Sequence, residues 1–150
     1  VSADTFVESA VSRWGLRRPR VTRQYECLGK EPIPVLVCDL TLRQAIENLL
    51  NNAADSGSQR IAVTLDWDAH SIVMEIRDWG PGIPPQLLQC LDSGDRNSDT
   101  GGLGIGLLLS RSAVERHGGQ LSLRNAPDGG TIARITLPAS RPAERQGSAA

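Results

Sequence analysis

The run Gly101-Gly102-Leu103-Gly104-Ile105-Gly106-Leu107 puts three glycines, Gly102, Gly104 and Gly106, at alternate positions. It then passes directly into an apolar helical pattern at Leu107, Leu108 and Val114. Glycine lets a backbone approach a ligand closely and adopt positive φ. A helix that starts there points unpaired N–H groups at whatever lies in front of it, commonly an anion. Alone, the run also suits a flexible turn. Two further motifs upstream, in a fixed order, narrow the choice.

The longest periodic segment carries the first of these. Leu42, Ala45, Ile46, Leu49, Leu50 and Ala53 recur at helical spacing, with Asp39 placed to cap the helix and Ser56-Gly57-Ser58 placed to end it. Phe6, Val7, Ala10, Val11 and Trp14 form a second helical stripe over residues 5–14, with Asp4 as its cap. Strands are expected over residues 20–27 and 34–38. Alternating patterns predict two more over residues 60–67 and 71–78, joined by the Asp68-Ala69-His70 turn. Residues 84–91 read as a short helix and 92–101 as a polar loop. A helix over 103–117 stops at Gly118-Gly119. Strands at 120–125 and 131–137 flank the turn Pro127-Asp128-Gly129-Gly130. This order predicts an α/β fold, a two-layer sandwich. Its sheet is mixed but mostly antiparallel, of about five strands, with about three helices on one face. The other sheet face is expected to be partly wet, or covered by another segment.

A chain of 150 residues with 39% hydrophobic and 22% charged residues suits one soluble domain. That domain is expected over residues 1–138, with a disordered tail over 139–150 rich in Arg, Ser, Ala, Pro and Gly. The net charge of −1 gives no electrostatic case for nucleic acid or an anionic membrane. No apolar run approaches the roughly 18 residues of a membrane span. The three cysteines lack C-x-x-C spacing and read as reduced thiols of a cytosolic protein.

Asn48 and Asn52 stand at i and i+4 on the strong helix, on one face beside its apolar stripe. Their amide oxygens suit a hard cation such as magnesium, which takes neutral oxygen ligands alongside water and phosphate. They also suit plain solvated positions, and Glu47 and Asn51 lie near the same face. Asp78-Trp79-Gly80-Pro81-Gly82-Ile83-Pro84 follows a strand. A carboxylate there can accept a hydrogen bond from an exocyclic amine, and two glycines can clear space for a flat ring. A tight turn with a helix-capping acid is the alternative.

Asn-x-x-x-Asn, Asp-x-Gly-x-Gly, a polar loop and Gly-x-Gly-x-Gly opening a helix, in that order, resemble the GHKL or Bergerat ATP-binding fold. Within it the chain resembles the catalytic ATP-binding domain of a two-component sensor histidine kinase. The residues that carry this are 47–54 (ENLLNNAA), 78–82 (DWGPG) and 102–107 (GLGIGL), supported by 114–119 (VERHGG) and Gly129-Gly130-Thr131. The short lid and the Asn52-Ala53-Ala54-Asp55 run are similar to redox-responsive, quinol-sensing kinases of proteobacteria.

The resemblance implies ATP and Mg2+ as cofactors, with roles for particular residues. Asp78 receives the adenine amine, with Gly80, Gly82 and Ile83 beside it and Thr131 near the base. Asn52 holds magnesium on the phosphates with help from Asn48, and Asn48 with Glu47 forms the catalytic end of the site. Gly102, Leu103, Gly104, Ile105 and Gly106 form the lid hinge and offer N–H groups to the phosphates. The implied activity is an ATP-dependent protein histidine kinase. Its partners are a dimerisation and phosphoacceptor helical domain of the same kinase and a response regulator. The implied setting is the cytoplasmic portion of an inner-membrane sensor, with no membrane contact by this segment itself. Other readings are a stand-alone serine kinase of the anti-sigma-factor type, or a nucleotide-dependent switch with little catalysis.

Departures from the family pattern shape these expectations. Hydrolytic relatives of this fold place a glutamate base where Asn48 stands, and a neutral amide cannot take a proton from water. Glu47 points about 100° away around the helix. Efficient hydrolysis is therefore not expected. Asp55 replaces a basic residue common in these kinases, so cationic help must come from elsewhere, with Arg96 and Arg111 as candidates. The usual Phe-rich box before the lid is replaced by Gln89-Cys90-Leu91-Asp92. His70 and His117, the only histidines, read as structural, so the acceptor histidine is expected in another domain.

Overall fold

The computed structural model describes residues 2–36, 39–86 and 103–139. Helix α1 spans Ala3–Arg17 and strand β1 spans Thr22–Cys27. Helix α2 covers Leu40–Asp55, and the hairpin β2 (Arg60–Trp67) and β3 (Ser71–Asp78) follows. Helix α3 (Leu103–Arg116) leads to β4 (Gln120–Asn125) and β5 (Thr131–Pro138). The strands form one mixed sheet in the order β1-β2-β3-β5-β4. Among the described strands only β1 and β2 pair in parallel. A parallel neighbour needs the chain to return before pairing, and α2 makes that return.

Helix α2 forms where its periodicity says it should. Asp39 accepts a hydrogen bond from the Leu42 N–H at 2.9 Å, the N-cap expected from the sequence. Its stripe from Leu42 to Ala54 is buried, and each large side chain in it contributes about 1.5–3 kcal/mol. Ile61, Val63 and Leu65 of β2, Ile72, Met74 and Ile76 of β3, and Ile135 and Leu137 of β5 complete that core with Phe6, Val7 and Trp14 of α1. These strand residues share one sheet face by register. On the opposite face Gln24, Glu26, Ser122, Arg124 and Arg134 are exposed while Ile132 is buried, so that face is partly wet among the described residues.

Two local expectations differ. Residues 34–36 form no strand: Val35 makes a single bridge to Ser2. Pro34 has no N–H to give a ladder, and its carbonyl accepts from Ala3 N–H at 3.0 Å. The cap position of α1 is Ser2, not Asp4. Asp4 sits inside the first turn, where its carboxylate accepts from Thr5 N–H at 2.7 Å and suits the positive helix end. Of the helix expected over 84–91, Pro85 and Gln86 are helical and the rest lies outside the described residues. So do the loop over 92–101, Gly101, Gly102, Arg96 and the tail beyond Ala139. No helix among the described residues is long and apolar enough to cross a membrane.

Candidate functional site

The C-terminal half of α2, the end of β3 and the start of β5 converge on a cavity of about 240 Å³. Leu49, Ala53, Ile76, Leu107, Leu123 and Ala133 give it apolar walls, while Asn52, Asp55, Ser56, Asp78 and Thr131 supply polar groups. A mostly apolar slot with a few convergent polar groups suits a flat, amphipathic ligand.

Asp78 is 4% exposed. It is buried because it is the last inward-facing residue of β3, paired opposite Ile61. Its Oδ1 accepts from Gly80 N–H at 2.9 Å and from Thr131 N–H at 3.3 Å. Both bonds use Oδ1 and Asp78 lines the cavity, so Oδ2 is the oxygen left to meet a ligand. Next to it, Gly130 has φ +87°, and a side chain there would run into the backbone of Asp78. Glycine at this position is what allows the chain entering β5 to pass so close to the Asp78 backbone.

Gly82 and Ile83 form the rim of the cavity. Gly82 has φ +85°, and a Cβ would meet Asn125 Oδ1 at 2.8 Å. Asn125 accepts from Ile83 N–H at 2.7 Å and donates through Nδ2 to the Ile83 carbonyl at 2.8 Å. One side chain thus satisfies both backbone groups of Ile83 and fixes the rim. Asn125 is a site-building residue that the sequence reading missed, since its partner lies 42 residues away. Beneath the same segment, Ser58 Oγ accepts from Trp79 N–H at 3.1 Å. The Arg60 and Arg77 guanidinium groups lie 4.1 and 4.6 Å from the centre of the Trp79 ring. Arg77 also reaches Asp128 at 2.5 Å, which ties β3 to the β4–β5 turn. That hydrogen bond holds the Asp128 carboxyl below the usual carboxylate range.

Asn52 faces the cavity, and its Nδ2 is buried with no hydrogen-bond partner among the described residues. An unpaired buried amide costs free energy that a ligand can relieve. A half-turn of the amide presents Oδ1 in the same place, a donor type magnesium accepts. The residues present therefore fit a cation held with phosphate at this point.

The remaining candidates are placed apart from these. Asn48 is half-buried one turn earlier on α2 and does not line the cavity. Glu47 pairs with Arg17 at 2.5 Å on the α1 side of the helix. Asn51 Oδ1 accepts from Trp14 Nε1 at 2.9 Å. Gly80 N–H serves Asp78, but the residue does not line the cavity. Leu103, Gly104, Ile105 and Gly106 form the first turn of α3. Arg111 approaches Glu115 at 3.4 Å on its own helix. His117 Nδ1 lies 2.9 Å from the Ala113 carbonyl and His70 sits in the β2–β3 turn.

Residues 39–141 match the family model described as histidine kinase-, DNA gyrase B-, and HSP90-like ATPase. The chain belongs to this ATPase family. ATP is accordingly the nucleotide this fold handles. The chain is 36% identical over 115 residues to the sensor histidine kinase GtrS of Pseudomonas aeruginosa, covering 75% of this chain and 24% of that protein. It is 35% identical over 105 residues to the sensor histidine kinase component HK1 of Mycobacterium tuberculosis, covering 67% and 62%. The mycobacterial sensor histidine kinase MprB superposes with a TM-score of 0.73 at 27% identity, covering 93% of this chain and 97% of that one. The catalytic domain of histidine kinase ThkA shares the fold with a TM-score of 0.76 at 19% identity, covering 93% and 95%. The resemblance to histidine kinase ATPase domains and the five-stranded α/β sandwich expected from the sequence are both met. This chain spans about a quarter of GtrS and 13% of the Escherichia coli sensor protein KdpD.

Proposed function

We propose that this chain is the ATP-binding catalytic domain, residues 1–138, of a sensor histidine kinase. It binds ATP with magnesium and presents the γ-phosphate to a histidine on a dimerisation and phosphoacceptor helical domain. That histidine then supplies an aspartate of a response regulator. The whole protein is a membrane-anchored sensor, with this domain on the cytoplasmic side.

The single observation that carries the reading is the buried Asp78 carboxylate at the end of an apolar slot that also holds the unpartnered amide of Asn52. In this reading Asp78 Oδ2 accepts the exocyclic amine of adenine while Thr131, Gly82 and Ile83 border the ring. Asn52 holds the cation, with Asn48 one turn behind it. Magnesium, when bound, neutralises charge on the phosphate oxygens. Phosphoryl transfer depends mainly on positioning and charge neutralisation, and a site of amides, backbone N–H groups and one carboxylate suits that chemistry. In this reading Gly104 and Gly106, in the first turn of α3, offer N–H groups to the phosphates together with Gly102. Asn48 in place of a glutamate base keeps water from competing as acceptor.

Calorimetric titration with ATP and GTP tests the reading. GTP carries a carbonyl where ATP carries an amine, so the parent should prefer ATP. Asp78→Asn should weaken ATP binding by about 1–3 kcal/mol and reduce that preference. Equal affinity of the parent for both nucleotides would refute the assignment of Asp78.

A further inference from the structure

A cavity that takes a polyanionic nucleotide is a poor place for an unpaired carboxylate, yet Asp55 lines it. The same carboxylate is met by a cation from a different helix. Arg18, just past the end of α1, reaches Asp55 Oδ1 through Nη2 at 3.0 Å. The same Nη2 lies 3.4 Å from Asn51 Oδ1, which also accepts the Trp14 indole N–H at 2.9 Å. Trp14 is 1% exposed, so α1 is pinned to α2 directly beside this pair. Arg18 is about one-third exposed and Asp55 about three-fifths. A pair that exposed contributes little to stability, but it cancels the negative charge that Asp55 would otherwise present to an anion in the adjoining cavity.

We infer that Arg18 is a positioning residue of the nucleotide site: it neutralises Asp55 at the cavity edge and makes α1 part of the electrostatic surface that receives the phosphates. This rests on the proposed ATP site and adds Arg18 to Arg96 and Arg111 as candidate sources of cationic help. With Arg18 removed, Asp55 stands uncompensated and repels the ligand in proportion to the ligand's negative charge. With both removed, that repulsion disappears.

The test is calorimetric titration of the parent, Arg18→Gln, Asp55→Asn and the double variant with ATP, ADP and adenosine at low salt. Arg18→Gln should weaken ATP about two- to fivefold, ADP less, and adenosine not at all. The double variant should return to near-parent ATP affinity, and added salt should shrink the differences. Equal loss for ATP and adenosine would overturn the inference, because it would mean that Arg18 only holds α1 in place. Failure of Asp55→Asn to restore affinity would overturn it as well. Should Arg18→Gln unfold, Asp55→Asn alone decides: it must bind ATP at least as tightly as the parent does. A parent that binds adenosine but shows no such charge dependence refutes this inference alone, whereas a parent that binds no adenine ligand refutes the proposed function itself.

Discussion

Asn125 and Ile83 exchange two hydrogen bonds, at 2.7 and 2.8 Å, across 42 residues of sequence. A single amide thereby does for the cavity rim what a neighbouring strand would do for an edge. It also explains why Gly82 must lack a side chain, since a Cβ there would collide with the Asn125 oxygen. Asn125→Ala should leave the domain folded, because the residue is exposed. It should weaken ATP by about 1 kcal/mol through a loosened rim. Hydrogen exchange should accelerate at Gly82 and Ile83. Unchanged exchange there would show that the rim is held by something else.

Gly130 offers a stability test with an internal control. Gly129 and Gly130 both have positive φ, but only Gly130 lies against the Asp78 backbone. Gly129→Ala should carry the conformational strain alone, about 1 kcal/mol. Gly130→Ala should lose more, about 2–3 kcal/mol, and should disturb ATP binding too. Urea denaturation of both variants measures this, and equal losses would contradict the close approach of β5 to Asp78.

The magnesium reading is tested separately. Asn52→Ala removes an amide whose nitrogen is already unpaired, so its unfolding midpoint should hold. The gain in ATP affinity on adding magnesium should largely vanish. A variant that keeps the parent's full magnesium dependence places the cation elsewhere.

Acid stability depends on the turn carboxylates. The backbone N–H groups of His70 and Ser71, at 2.7 and 2.8 Å, hold the Asp68 carboxyl below its ordinary value of 3.8. Because the folded state favours the ionised form, this stabilisation is present above the unfolded value. It is lost as pH falls through the lower folded one. Asp68→Asn keeps an acceptor oxygen but cannot titrate. Its stability should therefore fall less steeply than the parent's below about pH 4. Parallel stability–pH profiles from urea titrations would count against it.

Much of this arrangement was legible in the sequence because it is local. The period of Leu42 to Ala53, the Asp39 cap and the alternation in Arg60–Trp67 depend on neighbours within a few residues. They emerge as α2, its cap and β2. The Asn52 and Asp78 motifs were legible for the same reason, and the fold brings both to one cavity. Of the strand expected over 34–38, residues 34–36 form none, because the missing N–H of Pro34 outweighs the apolar Val35 and Leu36 beside it. Asn125, Arg18 and Trp79 were not legible as site-builders. Asn125 serves a loop and Arg18 a helix, each more than 30 residues away. Trp79 meets Arg60 across the sheet. Spacing along one segment carries no trace of such contacts.

The central claim is that this domain gives the γ-phosphate of ATP to a histidine and not to water. Incubation with γ-labelled ATP and magnesium, with and without a dimeric helical domain bearing the acceptor histidine of the same kinase, tests it most directly. Alone, the domain should hydrolyse ATP far below 1 s⁻¹, a rate on the order of the low end for dedicated enzymes. With the helical domain, label should pass to that partner as an acid-labile, base-stable phosphoprotein. Acid-stable label would instead indicate a serine kinase, and rapid hydrolysis without transfer an ATPase; either result would contradict the account.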